Sequence, residues 1–296
     1  MLTACNLCCR NCNVNRLDGE TGFCNSSDKI KVARVSLHQW EEPCISGARG
    51  SGTVFFSNCN LKCVFCQNHA ISSGGIGKEI SIDRLSEIFL EQQARGAHNI
   101  NLVTPTHYVP QIISALKIAR SKGLNVPIVY NTNSYESVST IKALKGYIDI
   151  YIPDLKYYKD KYAIKYSNAA NYFKKASAAI EEMFSQVGEP KFNKEGLMTR
   201  GVIVRHLMLP GLLFDSKNII DYIYRTFKDS VYISIMNQYT PTHDVRNYPE
   251  INKTINQKHY EALIDYCLSL GVNNAFIQDE GTASESFIPD FDLRGI

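Results

Sequence analysis

Apolar positions along this chain alternate between two spacings. Short apolar runs at 53–57, 99–103, 126–130, 147–152, 201–209 and 231–236 are bounded by turn residues, as buried strands are. Between and after them, 81–96, 109–122, 135–144, 159–187, 216–227 and 257–270 carry the three- and four-residue apolar spacing of helices. Ser81 stands at an N-cap position, Gly123 and Gly271 stand at helix ends, and the 159–187 stretch is expected to break near 168–171. Residues 29–37 alternate polar and apolar and predict an earlier strand, and a short strand is expected at 275–278. About six βα units imply a parallel sheet with right-handed crossovers, too few for a complete eight-fold barrel. The expected fold class is α/β: a partial (β/α)6 TIM-like barrel with a small N-terminal Cys-rich metal-binding unit. The expected division is 1–50 for that unit, 51–245 for the barrel, and 246–296 for a C-terminal helix and tail completing it. Ligands in such folds sit at the C-terminal ends of the strands.

Composition narrows the class. Over 296 residues, 44% hydrophobic and 21% charged residues describe an ordinary globular chain. The net charge of +3 argues for neither nucleic acid nor an acidic membrane as partner, and no apolar run approaches the roughly 20 residues a spanning helix needs. A cytoplasmic protein is expected.

The ten cysteines change the picture. A chain of this length without a signal-peptide pattern points to metal ligation rather than a disulfide scaffold. Cys59-x3-Cys63-x2-Cys66 leaves the first strand of the repeat, with Phe65 before the last cysteine. Three thiolates on one loop can hold three corners of a cubane cluster and leave the fourth iron open. Structural zinc would need a fourth ligand, for which His69 is the nearest candidate. A second set, Cys5, Cys8, Cys12 and Cys24, suits either a four-thiolate zinc knot or a second 4Fe–4S cluster, and a metal there would stabilise a segment too small for its own core. Cys9 is an extra thiol, Cys267 lies at an apolar helical position, and Cys44 is placed to reach the barrel mouth if the first unit folds over it.

These residues also resemble a known family. The motif at Cys59, Cys63 and Cys66 with Phe65 is similar to the cluster motif of the radical S-adenosylmethionine superfamily. The flanking Asn58-Cys59-Asn60-Leu61 and Cys66-Gln67-Asn68 resemble its glycyl-radical-activating branch, and uncharacterised proteins similar to pyruvate formate-lyase activating enzyme in particular. The resemblance covers most of 51–245. It implies a partial barrel, a 4Fe–4S cluster, S-adenosylmethionine and a small electron donor of flavodoxin or ferredoxin type.

Several strand ends then become candidate cofactor contacts. Thr104-Pro105-Thr106-His107 stands where the activating enzymes place a Gly-Gly-Glu segment holding the cofactor's amino group; here that contact falls to Thr104, Thr106, His107 or a backbone carbonyl. A proline-stiffened turn explains the same residues structurally. Asn131-Thr132-Asn133 replaces the family's Asp-Thr-Asn. Asp154-Leu155-Lys156 matches its Asp-Leu-Lys, with Lys156 meeting the cofactor carboxylate as a point charge. Alternation puts Arg205 on one strand face with Ile203 and Leu207, available to an anion or to a buried ion pair. Tyr239 aligns with a histidine that contacts the cofactor.

The activity implied is reductive cleavage of S-adenosylmethionine to a 5′-deoxyadenosyl radical that abstracts hydrogen from a substrate. A protein glycine is the substrate the family branch suggests; another peptide, a small molecule or RNA would use the same core. A non-catalytic iron–sulfur electron carrier is the reading from a different class.

Overall fold

The computed structural model describes residues 1–278 and 289–296. β1 (Ile30–His38) leads through the short helix α1 (Pro43–Ser46) to β2 (Ser51–Phe56). The cysteine loop follows, then α2 (His69–Ser72), β3 (Lys78–Ile80) and α3 (Ile82–Ala94). Next come β4 (Ile100–Val103), α4 (Val109–Ser121), β5 (Ile128–Thr132), α5 (Val138–Ala143) and β6 (Ile150–Pro153). Two helices follow β6, α6 (Asp160–Ser167) and α7 (Tyr172–Val187), before β7 (Lys191–Phe192) and β8 (Met198–Leu207). The chain continues through α8 (Leu213–Phe227), β9 (Tyr232–Met236), α9 (Gln257–Ser269) and β10 (Ala275–Ile277).

The sheet runs β10-β9-β8-β6-β5-β4-β2-β1-β3. From β2 to β10 its neighbours are parallel, while β1 and β3 extend the β2 edge antiparallel and β7 pairs antiparallel with β8. The sheet therefore ends at β10 and β3 without closing on itself, as expected of a partial barrel. The short strand expected after the last helix extends it as β10. Residues 279–288 of the expected C-terminal segment lie outside the described residues.

Local chemistry explains where boundaries shifted. The helix expected from 135 begins at Val138, because Asn133 folds its side chain back to accept from the Tyr135 N–H at 3.0 Å, and Ser134 adopts a φ of 65°. The break in 159–187 falls as expected, with Asn168 and Asn171 both left-handed at φ 50° and 56°. Ser81 caps α3 by accepting from the Arg84 N–H.

Alternation gives the sheet two different faces. Tyr130, Tyr151, Val202 and Val204 point outward into the main core under the helices. Val129, Ile150, Ile152 and Ile203 point inward, where they pack with Cys44 and Ile45 of α1. Cys44 thus lies among the inner residues, next to His98 and Leu197 before the starts of β4 and β8, and not at the mouth. Residues 30–50, grouped in the sequence with the cysteine-rich segment, contribute β1 and this plug to the barrel.

The plug brings two carboxylates inside. Glu41 accepts from Asn101 on β4 at 2.7 Å, and Glu42 is gripped by Arg205 on β8 at 2.8 and 2.5 Å, with a second bond from Arg205 to Glu41. These side chains are nearly fully buried, so the pairing is what permits the charges in the barrel.

Candidate metal centre and its cavity

The loop between β2 and α2 is fixed on both sides before any ligand is considered. Leu61 and Phe65 bury their side chains in the core, and Asn58, at φ 74°, donates its side-chain amide to Ser26 at 3.0 Å. Cys59, Cys63 and Cys66 then line one wall of a cavity of about 680 Å³ at the C-terminal ends of the strands. That volume lies within the roughly 300–1,000 Å³ typical of sites for ligands of cofactor size.

Each sulfur already has its own donors. Cys59 Sγ accepts from the Leu61 N–H at 3.3 Å and the Asn133 amide at 3.4 Å. Cys63 Sγ accepts from the Ser167 hydroxyl at 3.0 Å, and Cys66 Sγ lies 3.2 Å from the Ser72 hydroxyl. Such bonds orient metal-bound thiolates and draw off their charge. Burial pushes all three thiols up, Cys63 to about 11, so binding a metal must release their protons. His69 takes no part: it is more than half exposed and sits 3.3 Å from Asp244. Among the described residues no three His, Cys, Asp or Glu side chains converge closely enough to hold a single ion. A cubane asks something different, because each thiolate binds its own iron. The loop has the donor set for a 4Fe–4S cluster with one iron left open to the cavity.

A hydrogen bond to a cluster sulfur stabilises the reduced form. Ser167→Ala is therefore expected to lower the midpoint potential of this cluster with its iron content unchanged, which an EPR-monitored redox titration would read.

Other sequence candidates divide into two groups. Thr104, Asn131, Asp154, Lys156, Arg205 and Tyr239 all line the same cavity. Thr104 does so at φ 57°, an unusual conformation for a β-branched residue, with its N–H bonded to Asn131 O. Lys156 reaches across toward Cys63 and holds Asp154 at 2.6 Å; burial opposes its charge, but Asp154 and Cys63 raise its pKa overall. Arg205 is in the cavity wall yet occupied by Glu41 and Glu42 rather than left for a ligand's anion. Tyr239 is buried with its hydroxyl donated to Ile251 O at 2.6 Å, so it presents ring rather than hydroxyl.

Thr106 and His107 are not brought to the cavity. Thr106 donates to Glu136 at 2.6 Å, and His107 Nε2 lies 2.8 Å from Ser57 O in a fully protein-lined setting. Burial lowers His107 to about 3, so it is neutral. Glu136 was not signalled by the sequence. Its Oε1 accepts from Thr106, Thr132 and Tyr130, joining the ends of β4 and β5, and burial lifts its pKa to about 7. Ser234, Gln238 and Gln278 also line the cavity without having stood out. Gln278 accepts from the Asn237 N–H and ties the last strand to the end of β9.

An open parallel barrel with a three-thiol loop at the mouth defines an iron–sulfur framework facing a cofactor-sized cavity. The radical SAM superfamily is matched over residues 53–223. An uncharacterized protein of Methanocaldococcus jannaschii is 30% identical over 271 residues, covering 88% of this chain and 73% of its own length. Streptococcus suis SuiB, solved with its precursor peptide SuiA, shares the fold at a TM-score of 0.52 and 17% identity, over 76% of this chain and 47% of SuiB. The FeFe-hydrogenase maturase HydG from Carboxydothermus hydrogenoformans does so at 0.51 and 16%, over 74% of this chain and 50% of HydG. A mutant of spore photoproduct lyase reaches 0.54 at 11%, over 83% and 79%. The chain thus spans about half the length of SuiB and HydG. It belongs to the radical SAM superfamily, whose members use a 4Fe–4S cluster and S-adenosylmethionine. No helix among the described residues is long and apolar enough to cross a membrane.

Proposed function

We propose that this protein cleaves S-adenosylmethionine reductively at a cluster held by Cys59, Cys63 and Cys66 and uses the resulting 5′-deoxyadenosyl radical to take hydrogen from a peptide, a protein glycine in the first instance. The observation that carries the reading is the single cavity shared by the three thiols, Lys156 and Asn131. When bound, the cluster and cofactor supply the electron and the carbon–sulfur bond to be broken. The chain's own part is positional. Lys156 presents a charge, already oriented by Asp154, to the cofactor carboxylate; Thr104 and Asn131 border the same space; and the tyrosine and phenylalanine rings at Tyr239 and Phe65, 6.0 Å apart, help to exclude water.

The rim favours a peptide. Gln39, Gln67, Asn68, Gln238 and Gln278 line the cavity; Gln67 and Gln278 are bonded to Gln238, and the carboxamides of Gln39 and Asn68 offer a donor and an acceptor to a peptide's backbone amides. A flavodoxin- or ferredoxin-type protein would supply the electron. The N-terminal cysteines fit a second metal centre, zinc or iron–sulfur. A carrier without turnover needs no cavity of this size beside its cluster. After anaerobic reconstitution and reduction, added S-adenosylmethionine should alter the cluster's EPR signal and yield 5′-deoxyadenosine. An unchanged signal with no deoxyadenosine would make the protein a carrier.

Lys156→Met should weaken S-adenosylmethionine binding by roughly 10- to 100-fold, the loss of one charge-assisted bond of about 1.5–3 kcal/mol, with Lys156→Arg retaining part of it. Equilibrium dialysis on the reconstituted protein measures this, and equal affinity in all three proteins would remove Lys156 from the site.

A further inference from the structure

We propose that Arg10, Lys62 and Lys175 form the docking surface for the electron donor, an acidic protein of flavodoxin or ferredoxin type. The proposal rests on the reading above that Cys59, Cys63 and Cys66 hold a reducible cluster.

Two aromatic rings bring the three cations together. The Arg10 guanidinium lies 3.6 Å from the centroid of the Phe23 ring, and Lys62 Nζ lies 4.8 Å from the same centroid. Arg10 also stands 4.9 Å over Tyr135, while Lys175 Nζ is 4.8 Å from that ring and 3.1 Å from its hydroxyl. The N-terminal segment, the cysteine loop and α7 thus each place one positive charge on a common patch.

The remaining partners of these side chains are carbonyls. Arg10 Nε donates to Asn60 O at 2.9 Å and its Nη1 to Asn168 O, and Lys175 Nζ donates to Cys9 O at 3.3 Å. Rings and carbonyls orient a cation without cancelling its net charge. Among the described residues none of the three forms an ion pair, in contrast to Lys165 on α6, which Glu250 matches at 2.5 Å. Three like charges held this closely repel one another, and an anionic partner relieves that repulsion.

Placement decides which partner. Lys62 directly precedes Cys63, and Asn60, whose carbonyl Arg10 holds, directly follows Cys59. Leu61 and Phe65 bury their side chains in the core, whereas Lys62 is exposed. None of Arg10, Phe23, Lys62, Tyr135 and Lys175 lines the cavity that the three thiols share. A donor seated on the patch therefore stands one peptide from a cluster ligand and competes with neither cofactor nor substrate. Phe23, half-buried between Arg10 and Lys62, supplies an apolar contact inside a charged rim. A net charge of only +3 over the whole chain makes this a local patch, not the extended basic surface that tracks a phosphate backbone. The donor loses one electron, the cluster at Cys59, Cys63 and Cys66 gains it, and no proton or bond is exchanged.

Binding of oxidised flavodoxin, read from its own amide resonances, tests the surface without turnover. Lys62→Glu should weaken it roughly tenfold at low salt and Lys62→Gln by less. Stopped-flow reduction of the reconstituted cluster by reduced flavodoxin should slow by about the same factor in Lys62→Glu. Reduction by photoreduced deazaflavin, too small to need a docking surface, should keep its wild-type rate; slowing with both reductants would mean a damaged cluster site and overturn the proposal. Unchanged flavodoxin affinity in Lys62→Glu overturns it as well. So does a wild-type affinity that is insensitive to salt between about 0.05 and 0.5 M, a result that needs no variant to fold. An oligonucleotide whose binding is lost in Lys62→Glu while flavodoxin binding is kept would assign the patch to nucleic acid instead. Salt-dependent docking and fast cluster reduction without any 5′-deoxyadenosine would leave this inference standing and refute the proposed function.

Discussion

Cys59→Ala, Cys63→Ala and Cys66→Ala are each expected to remove about four irons per chain and to bring 5′-deoxyadenosine formation to background. The effect should be nearly complete for each single substitution because no other cysteine among the described residues lines the cavity. Cys44 is buried in the inner cluster around α1, Cys267 is buried within α9, and His69 turns to Asp244. The same buried thiols make loading pH-dependent. Their folded-state pKa values lie above the ordinary thiol range, so at neutral pH the protons must be displaced by metal, and loading should become faster and more complete as pH rises toward 9. Iron and sulfide analysis after anaerobic reconstitution at several pH values checks both statements. Retention of full iron and activity by any one of the three variants would exclude that cysteine as a ligand.

What the sequence made legible, and what it did not, follows from how local each feature is. The cysteine loop could be read because its three cysteines fall within eight residues and its strand ends where the apolar run ends. The paired left-handed asparagines at 168 and 171 were equally readable, since they break a periodic segment on the spot. Alternation also placed Arg205 on the inner face with Ile203. It could not say who waits there. Glu42 is 163 residues away in sequence and arrives only because α1 turns into the barrel, a packing choice that no period encodes. The same holds for Thr106 and His107: a strand-end position suggested the cavity, but Glu136 and Ser57 hold both side chains elsewhere. Glu136 itself looks like any acidic residue in a turn until the hydroxyls of Tyr130 and Thr132 on β5 and of Thr106 after β4 close on it.

Arg205→Met is expected to destabilise the protein by about 3–5 kcal/mol, the usual result of removing one partner from a buried ion pair. The cost is set by what remains. Glu41 would keep its bond from Asn101, but both carboxylates would face the apolar plug with no cation, while Met fills much of the volume Arg205 vacates. The pH dependence separates this account from a simple packing defect. In the wild-type protein burial raises Glu42, but Arg205 overcomes it and holds its pKa below the ordinary carboxylate value. The pair's stabilisation is therefore present above that ordinary value and is lost as pH falls through the folded-state one. In the variant burial acts unopposed, so Glu42 should be raised instead, and protonation should relieve the damage as pH falls from 8 toward 5. Urea denaturation of the two holoproteins over that range should show the gap in stability narrowing, and Glu42→Gln added to Arg205→Met should recover part of it at pH 8. A gap that is constant with pH and untouched by Glu42→Gln would mean that Arg205 acts through its volume alone, leaving the guanidinium free for a ligand's anion after all.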